Sequence, residues 1–325
     1  MELIEISSNE YGQIVGDKGP VFCRKDFLEL NKTKVDAVHY FLGRDKKNRL
    51  AFALGEKDCE WRAPYSAPFA IPIELQKVTP IEYYWEFIEL LNKFAVDKGI
   101  KHISILLPPD IYYWQSNAKI INALLGKKYE IEYEELNYSI NLKKIRIEDY
   151  AQLLQCNARR NLKIALNSGL SLFRCLELEE KKAAYEVIRV NHESRGYPLR
   201  MTLEQVLETI ISVKHDIFLV KRCDITLAAA IVFHINDKIV QVIYWGNVPN
   251  VEEYKPMNFL AYELIKFYKE QGIDQIDIGP SSESGFPNYG LCTFKESIGC
   301  EVTSKFRLSI CLEGENVVGN SKVVN

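Results

Sequence analysis

Apolar side chains recur along this chain in two rhythms, and the order of those rhythms repeats. From Lys255 to Pro280 the sequence reads "KPMNFLAYELIKFYKEQGIDQIDIGP". Met257, Leu260, Ala261, Leu264, Ile265 and Tyr268 fall at helical spacing on one face, and Ile276 and Ile278 then alternate as in a strand. Pro256 suits a first helical turn, and the Gly-Ile pair marks the stop before the strand. Thr79 to Pro108, "TPIEYYWEFIELLNKFAVDKGIKHISILLP", carries the same signals in the same order. The match extends upstream, where "HYFLGRDKKNRLAFALG" (His39 to Gly55) resembles "DIFLVKRCDITLAAAIVF" (Asp216 to Phe233). Each of these reads as a strand, a polar turn and a second strand.

Two matches in one order define an internal repeat. Each half reads strand, hairpin, strand, helix, strand, helix, an α/β unit with a mixed sheet. We expect a first domain over residues 1–145, a second over 146–313 and a frayed polar tail over 314–325. No low-complexity linker separates the halves. The boundary falls near "NLKKIRIEDY" (Asn141 to Tyr150), and close packing of the halves is expected to leave a ligand cleft.

Composition narrows the partners. The chain has 325 residues, 47% hydrophobic and 26% charged, enough to bury two ordinary cores. A net charge of -3 gives no global attraction to nucleic acid or acidic membranes, and DNA is not expected as a partner. Eight cysteines lie scattered without a C-x-x-C pair or zinc-like spacing from the five histidines, so reduced, mostly buried thiols and no metal are expected. The N-terminus, "MELIEISSNEYG", has no basic patch before an apolar stretch, and no window reaches bilayer length. A cytoplasmic protein without a membrane span is the reading.

Several stretches carry candidate chemistry. "NARRNLKIA" (Asn157 to Ala165) opens a helix with Arg159, Arg160 and Lys163, which reads either as an anion grip or as a solvated basic face. In "NHESRGYPLRM" (Asn191 to Met201), Arg195 and Arg200 flank the stiff Gly196-Tyr197-Pro198 turn, suited to holding a charged substrate or to surface ion pairs. His192 reads as a helix-end polar residue, since no partner carboxylate or nucleophile is marked for it. "WRAPYSAPFAIP" (Trp61 to Pro72) is too rich in proline for a central strand, and reads as the cover of a sheet edge or the lining of a groove. The longest polar loop is "DIGPSSESGFPNYGLCTFKESIG" (Asp277 to Gly299). It leads into a short helix with Leu291, Phe294 and Ile298 on its apolar side, and Lys295 beside them can pack its stem while its ammonium reaches a cavity.

These segments, in this order, resemble the Fem-like branch of the GNAT acyltransferase superfamily, whose members carry two GNAT-like domains in tandem. The likeness covers most of the chain and rests on "NARRNLKIALNSG", "NHESRGYPLRM", "YKPMNFLAYELIKFYKEQGIDQIDIG" and "SSESGFPNYGLCTFKESIG". It implies transfer of an acyl or aminoacyl group from an activated ester or thioester to an amine. It also implies that Lys295, in the F-K of the last helix, stabilises charge at the reacting centre, and that Arg195 contacts an acceptor phosphate. One departure concerns the donor. Acetyl-CoA enzymes of the superfamily usually hold pyrophosphate on a Q/R-x-x-G-x-G/A loop, but the matching "EEYKPMNFL" has no glycine, and Pro256 has no amide hydrogen. Lys255 and the amides of Met257 and Asn258 are the remaining candidates for a phosphate.

Acyl transfer to an amine needs oxyanion stabilisation and a proton donor for the leaving group. Lys295 is assigned the first, Tyr289 or Ser282 the second, with Tyr197, Asn288, Arg159 and Arg200 as further substrate contacts. No Ser-His-Asp arrangement is legible, so direct attack is expected rather than an acyl-enzyme. No tightly bound cofactor is expected. Acyl-CoA or aminoacyl-tRNA enters as co-substrate, and a small-molecule or peptide amine is the acceptor. The net charge leans toward acyl-CoA, tRNA stays a possible partner, and a catalytically silent binding protein of the same fold is the reading from another class.

Overall fold

In the computed structural model, which describes residues 1–312, both rhythms become the elements they predict. The expected tail, 314–325, lies outside the described residues. The first half carries strands β1 (Glu2–Ile6), β2 (Ala37–Arg44), β3 (Asn48–Lys57), β4 (Glu60–Ala63), β5 (Ile73–Glu74), β6 (His102–Leu106) and β7 (Glu130–Asn141). Its helices are α1 (Ser8–Val15), α2 (Lys25–Leu30), α3 (Ile81–Asp97) and α4 (Asp110–Gly126). The second half carries β8 (Leu170–Arg174), β9 (His215–Arg222), β10 (Ile225–His234), β11 (Ile239–Asn247), β12 (Gln275–Pro280), β13 (Ser282–Glu283), β14 (Phe286–Pro287) and β15 (Glu301–Cys311). Its helices are α5 (Tyr150–Leu153), α6 (Cys156–Leu166), α7 (Leu178–Arg195), α8 (Leu203–Ser212), α9 (Pro256–Glu270) and α10 (Tyr289–Ser297).

The repeat is visible element by element. Hairpin β2–β3 answers β9–β10, α3 answers α9, and β6 answers β12. The parallel pair β4–β6 answers the parallel pair β11–β12. After α3 and α9 the chain turns at Gly99 and Gly272, whose φ of 75° and 70° lie in the left-handed region that glycine tolerates. No helix of the described residues is long and apolar enough to cross a membrane.

The two halves share one mixed 13-stranded sheet, in the order β1-β2-β3-β4-β6-β15-β7-β12-β11-β10-β9-β8, with β5 on β3. At its centre the halves exchange strands. β15, the last strand of the second half, lies between β6 and β7 of the first, and β7 lies between β15 and β12. All three of these central pairings are antiparallel, so β6 and β12 run in opposite directions. The repeats are therefore related by a pseudo-two-fold axis through the sheet between β15 and β7.

Three apolar cores flank the sheet. Phe41, Trp61, Phe87 and Leu91 pack in the first half, joined by Leu308 of β15. Tyr150, Leu260, Leu264 and Ile276 pack in the second. A third core joins Phe22, Phe69 and Tyr112 of the first half to Ile188, Ile217 and Phe233 of the second.

Two expectations need correction. Trp61 to Ala63 belong to β4, an interior strand between β3 and β6, because the prolines begin only at Pro64, after the strand has made its ladder. The thiols are free but not mostly buried: Cys59, Cys156, Cys223 and Cys311 are exposed. Cys59 and Cys223 occupy hairpin turns with φ of 60° and 51°, which point their side chains to solvent.

Because β15 completes the first half's sheet, a chain ending at residue 299 is expected to lose cooperative thermal unfolding, followed by circular dichroism, in both halves together. A first half that still melts as the full-length protein does would show that β15 is dispensable to it.

Candidate active site

The parallel strands β11 and β12 pair only at their start, Ile239–Gln241 against Gln275–Asp277, although β11 runs on to Asn247. A bulge between Ile231 and Val232 in the β10–β11 ladder adds twist at the point where the strands part. Beyond Asp277, β12 is held only by β7, so a wedge opens in the sheet. The matching pair in the first half stays in register from Glu60–His102 to Ala63–Ile105.

The long polar loop closes over the end of β12. β13 and β14 form a small hairpin, turning at Ser284 and Gly285, whose φ values are 51° and 82°. Asn288 caps α10 by accepting the Leu291 amide at 3.1 Å, and its own amide group donates to the Tyr197 hydroxyl at 3.2 Å. Arg200 pairs with Glu283 at 3.0 Å. The structure thus gathers Tyr197, Arg200, Asn288 and Ser282 around one hairpin. Ser282 accepts the Leu136 amide at 2.8 Å and donates its proton to Glu135, which also takes the Ser284 amide at 2.8 Å.

Beneath the loop, Lys295 is 3% exposed. Its Nζ donates to the carbonyls of Ile278, Gly279 and Pro280 at 3.1, 2.9 and 3.0 Å and sits 5.5 Å from the Tyr138 ring centre. The ammonium expected to reach a cavity is instead fixed at the end of β12. Burial lowers its pKa from 10.5 to about 8, opposed by Cys300, Asp277 and Cys292. The carbonyl cradle depends on Gly279, which follows a register shift in the β12–β7 ladder and has a φ of 76°.

Asp277 sets that bulge and was not singled out from the sequence. Its fully buried carboxylate accepts from Tyr112 at 2.7 Å, Asn137 at 2.8 Å, Gln241 at 2.9 Å and the Gly279 amide at 2.8 Å. Tyr112 comes from the first turn of α4, so the first half reaches into the site. Glu135 and Lys305, 7% and 4% exposed, are further buried charges on the same face of the sheet. Burial brings Lys305 from 10.5 to about 8, against the pull of Asp277 and Glu135 and with help from Arg307.

Other candidates stand apart. Arg195 is exposed at the end of α7, ahead of Gly196 with its φ of 67°, and Tyr289 is 79% exposed at the start of α10. Arg159 spends its guanidinium on the carbonyls of Ala151, Gln152 and Leu154 at 2.8, 3.1 and 3.3 Å. Lys255 caps α9 in a left-handed conformation, and its carbonyl accepts the Asn258 amide at 3.1 Å, while Met257 packs on the second core. His192 bonds the Pro198 carbonyl at 3.2 Å, the helix-end role its sequence context suggested.

This arrangement, two repeats about a shared sheet with one wedge, is a fold shared with solved structures of FemX and of a tandem GNAT protein. No family model and no curated protein matches the sequence. Among solved structures, FemX is 15% identical with a TM-score of 0.68, covering 96% of this chain and 97% of its own. L-PGS from Bacillus licheniformis is 12% identical at a TM-score of 0.62, covering 96% and 94%. A tandem GNAT protein from the clavulanic acid biosynthesis pathway is 9% identical at 0.53, covering 97% and 99%.

Removing the Asp277 carboxylate leaves buried donors and lysines uncompensated. Asp277→Ala is expected to cost about 3–5 kcal/mol in urea unfolding, and a loss below about 1 kcal/mol would show that the donors find other partners. The buried lysines also set a pH slope. Their folded pKa lies below the unfolded value, so the unfolded chain holds more protons between about 8 and 10.5, and stability rises with pH there. The stability of wild type relative to Lys305→Met is expected to climb from pH 8 to 10, and a flat difference would contradict the shift.

Proposed function

We propose that the protein is an acyltransferase that moves an acyl or aminoacyl group from an activated ester or thioester to an amine. The observation that carries this reading is the wedge between β11 and β12, with the Lys295 ammonium fixed at its rim in a tandem GNAT-like fold. A reacting carbonyl seated in the wedge meets that charge in a low-dielectric site, where stabilisation of a developing oxyanion is strongest. Ser282 already gives its proton to Glu135. Tyr289, 79% exposed at the start of α10, is then the remaining candidate donor for the leaving group. Arg195 and Arg200, on either side of the Tyr197 turn, are the proposed contacts for a charged substrate.

The start of α9 bears on the donor. It lacks glycine, Pro256 has no amide hydrogen, and the Asn258 amide is already bonded to Lys255. That leaves little of the backbone nest that holds the pyrophosphate of coenzyme A, and supports an aminoacyl ester such as aminoacyl-tRNA. The net charge of -3 supports the second reading, a small acyl-CoA.

A thermal-shift screen with acetyl-CoA, uncharged tRNA and UDP-linked cell-wall precursors tests these readings, since a ligand of the native state stabilises it. The aminoacyl-ester reading expects a shift with tRNA that fades steeply with salt. On the donor so found, Lys295→Ala is expected to lower kcat about 10²–10³-fold. No shift with any ligand and no turnover would favour a binding protein that keeps the fold.

A further inference from the structure

The site buries a second lysine that the chemistry above leaves unused. Lys305 stands on β15 opposite Glu135 of β7. Tyr138, whose hydroxyl meets Glu296 of α10, points away from its strand neighbours Asn137 and Ser139, so Glu135, Asn137 and Lys305 share the face opposite α10. On that face Lys305 is surrounded by charge it does not bond. Asp277 on β12, Glu135 on β7 and Arg307 on its own strand act on it electrostatically, yet its Nζ makes no hydrogen bond among the described residues. Lys295 is equally buried and makes three. Three carbonyl hydrogen bonds fix the Lys295 ammonium in place, whereas the charges of Asp277 and Glu135 act on Lys305 without fixing where it points.

Five further atoms on this face are unmatched, Ser139 Oγ, Gln275 Oε1 and Thr303 Oγ1 among them. Asn137 and Gln241 each spend their amide hydrogens on Asp277, and their oxygens, Asn137 Oδ1 and Gln241 Oε1, are buried without a partner. These two oxygens can only accept, and they belong to the side chains bound to the carboxylate whose charge acts on Lys305. A primary ammonium has three hydrogens, one for each amide oxygen and one for the lone pair of an uncharged lysine.

We propose that this face receives the acceptor's ammonium and that Lys305 is the base that takes its proton, an assignment that rests on the transferase reading. Lys305 removes one proton from R–NH₃⁺, and the freed lone pair adds to the donor's carbonyl carbon. The C–N bond forms and the C–O or C–S bond breaks. The leaving oxygen or sulfur departs with the second proton of the new amide nitrogen, and Lys305 returns its proton to solvent. A base whose pKa lies near the working pH is the efficient choice, and burial brings Lys305 to about 8. Lys295 supplies the fixed positive charge and Lys305 the proton acceptor, two roles separated by hydrogen bonding rather than by residue type.

Two measurements on the full chain test this. With lysine ¹³C-labelled at Cε, and Lys305 assigned by its loss in Lys305→Arg, an NMR titration is expected to place its ionisation near 8. With the donor and amine found by the screen, wild-type kcat/KM is expected to rise through that pH and level off. Lys305→Met and Lys305→Arg should each lower kcat about 10²–10⁴-fold, abolish the rise and leave the donor KM unchanged. Lys305→Arg keeps the charge, so its melting temperature checks the fold while its guanidinium cannot act as base. A Lys305 still charged above about pH 10, or variants within about threefold of an active wild type, overturns the proposal alone. A wild type that turns over no donor overturns the transferase reading with it.

Discussion

Four hydrogen bonds to the carboxylate of Asp277 hold the centre of this molecule together. A carboxylate taken from water into a protein interior is tolerated only when donors replace its hydration. Here they come from α4, β7, β11 and the backbone of β12 itself, so satisfying one charge fixes the relative position of all four. The Gly279 amide is drawn back onto Asp277, the strand bulges, and successive carbonyls turn toward Lys295. The cradle around the lysine is thus a consequence of how the acid is buried.

The same pseudo-symmetric scaffold opens a wedge on one side only. In the first half Ser104 stands where Asp277 stands in the second, and its parallel strand pair never opens. The first turn of α4 sends Tyr112 across to the second half, while the hairpin after β12 sends Ser282 and Ser284 back across to Glu135 on β7. Each half completes the other's polar centre, so the first half contributes to it although Lys295 and Lys305 lie in the second.

Much of the fold was legible because its signals are local. Helical spacing from Met257 to Tyr268, the glycine stops and the duplicated hairpins each depend on residues a few positions apart. Lys295, Ser282 and Asn288 stand out in the sequence as parts of a segment too polar for a plain connection, and Tyr197 as part of the stiff turn before Pro198. Asp277, Glu135 and Lys305 do not, because each occupies the polar phase of a strand. Asp277 lies between Ile276 and Ile278, and alternation assigns such a position to solvent. What buries these residues is the crossing of Tyr112 and the hairpin over that face, contacts between residues more than a hundred positions apart. Trp61 to Ala63 were misplaced for a related reason: three prolines nearby suggested an edge, although the ladder ends just before the first of them.

The strand exchange also orders events during synthesis. β6 and β7 are made long before β15, which must enter between them, so the first half emerges with a gap at the centre of its sheet. Until β15 arrives, two interior strands present unpaired backbone edges, the kind of surface that recruits foreign strands. Contacts of such long sequence separation form slowly, and the interval before closure is the one most exposed to aggregation. The time between the emergence of β7 and that of β15 is therefore the stretch of synthesis in which this chain is most open to wrong partners.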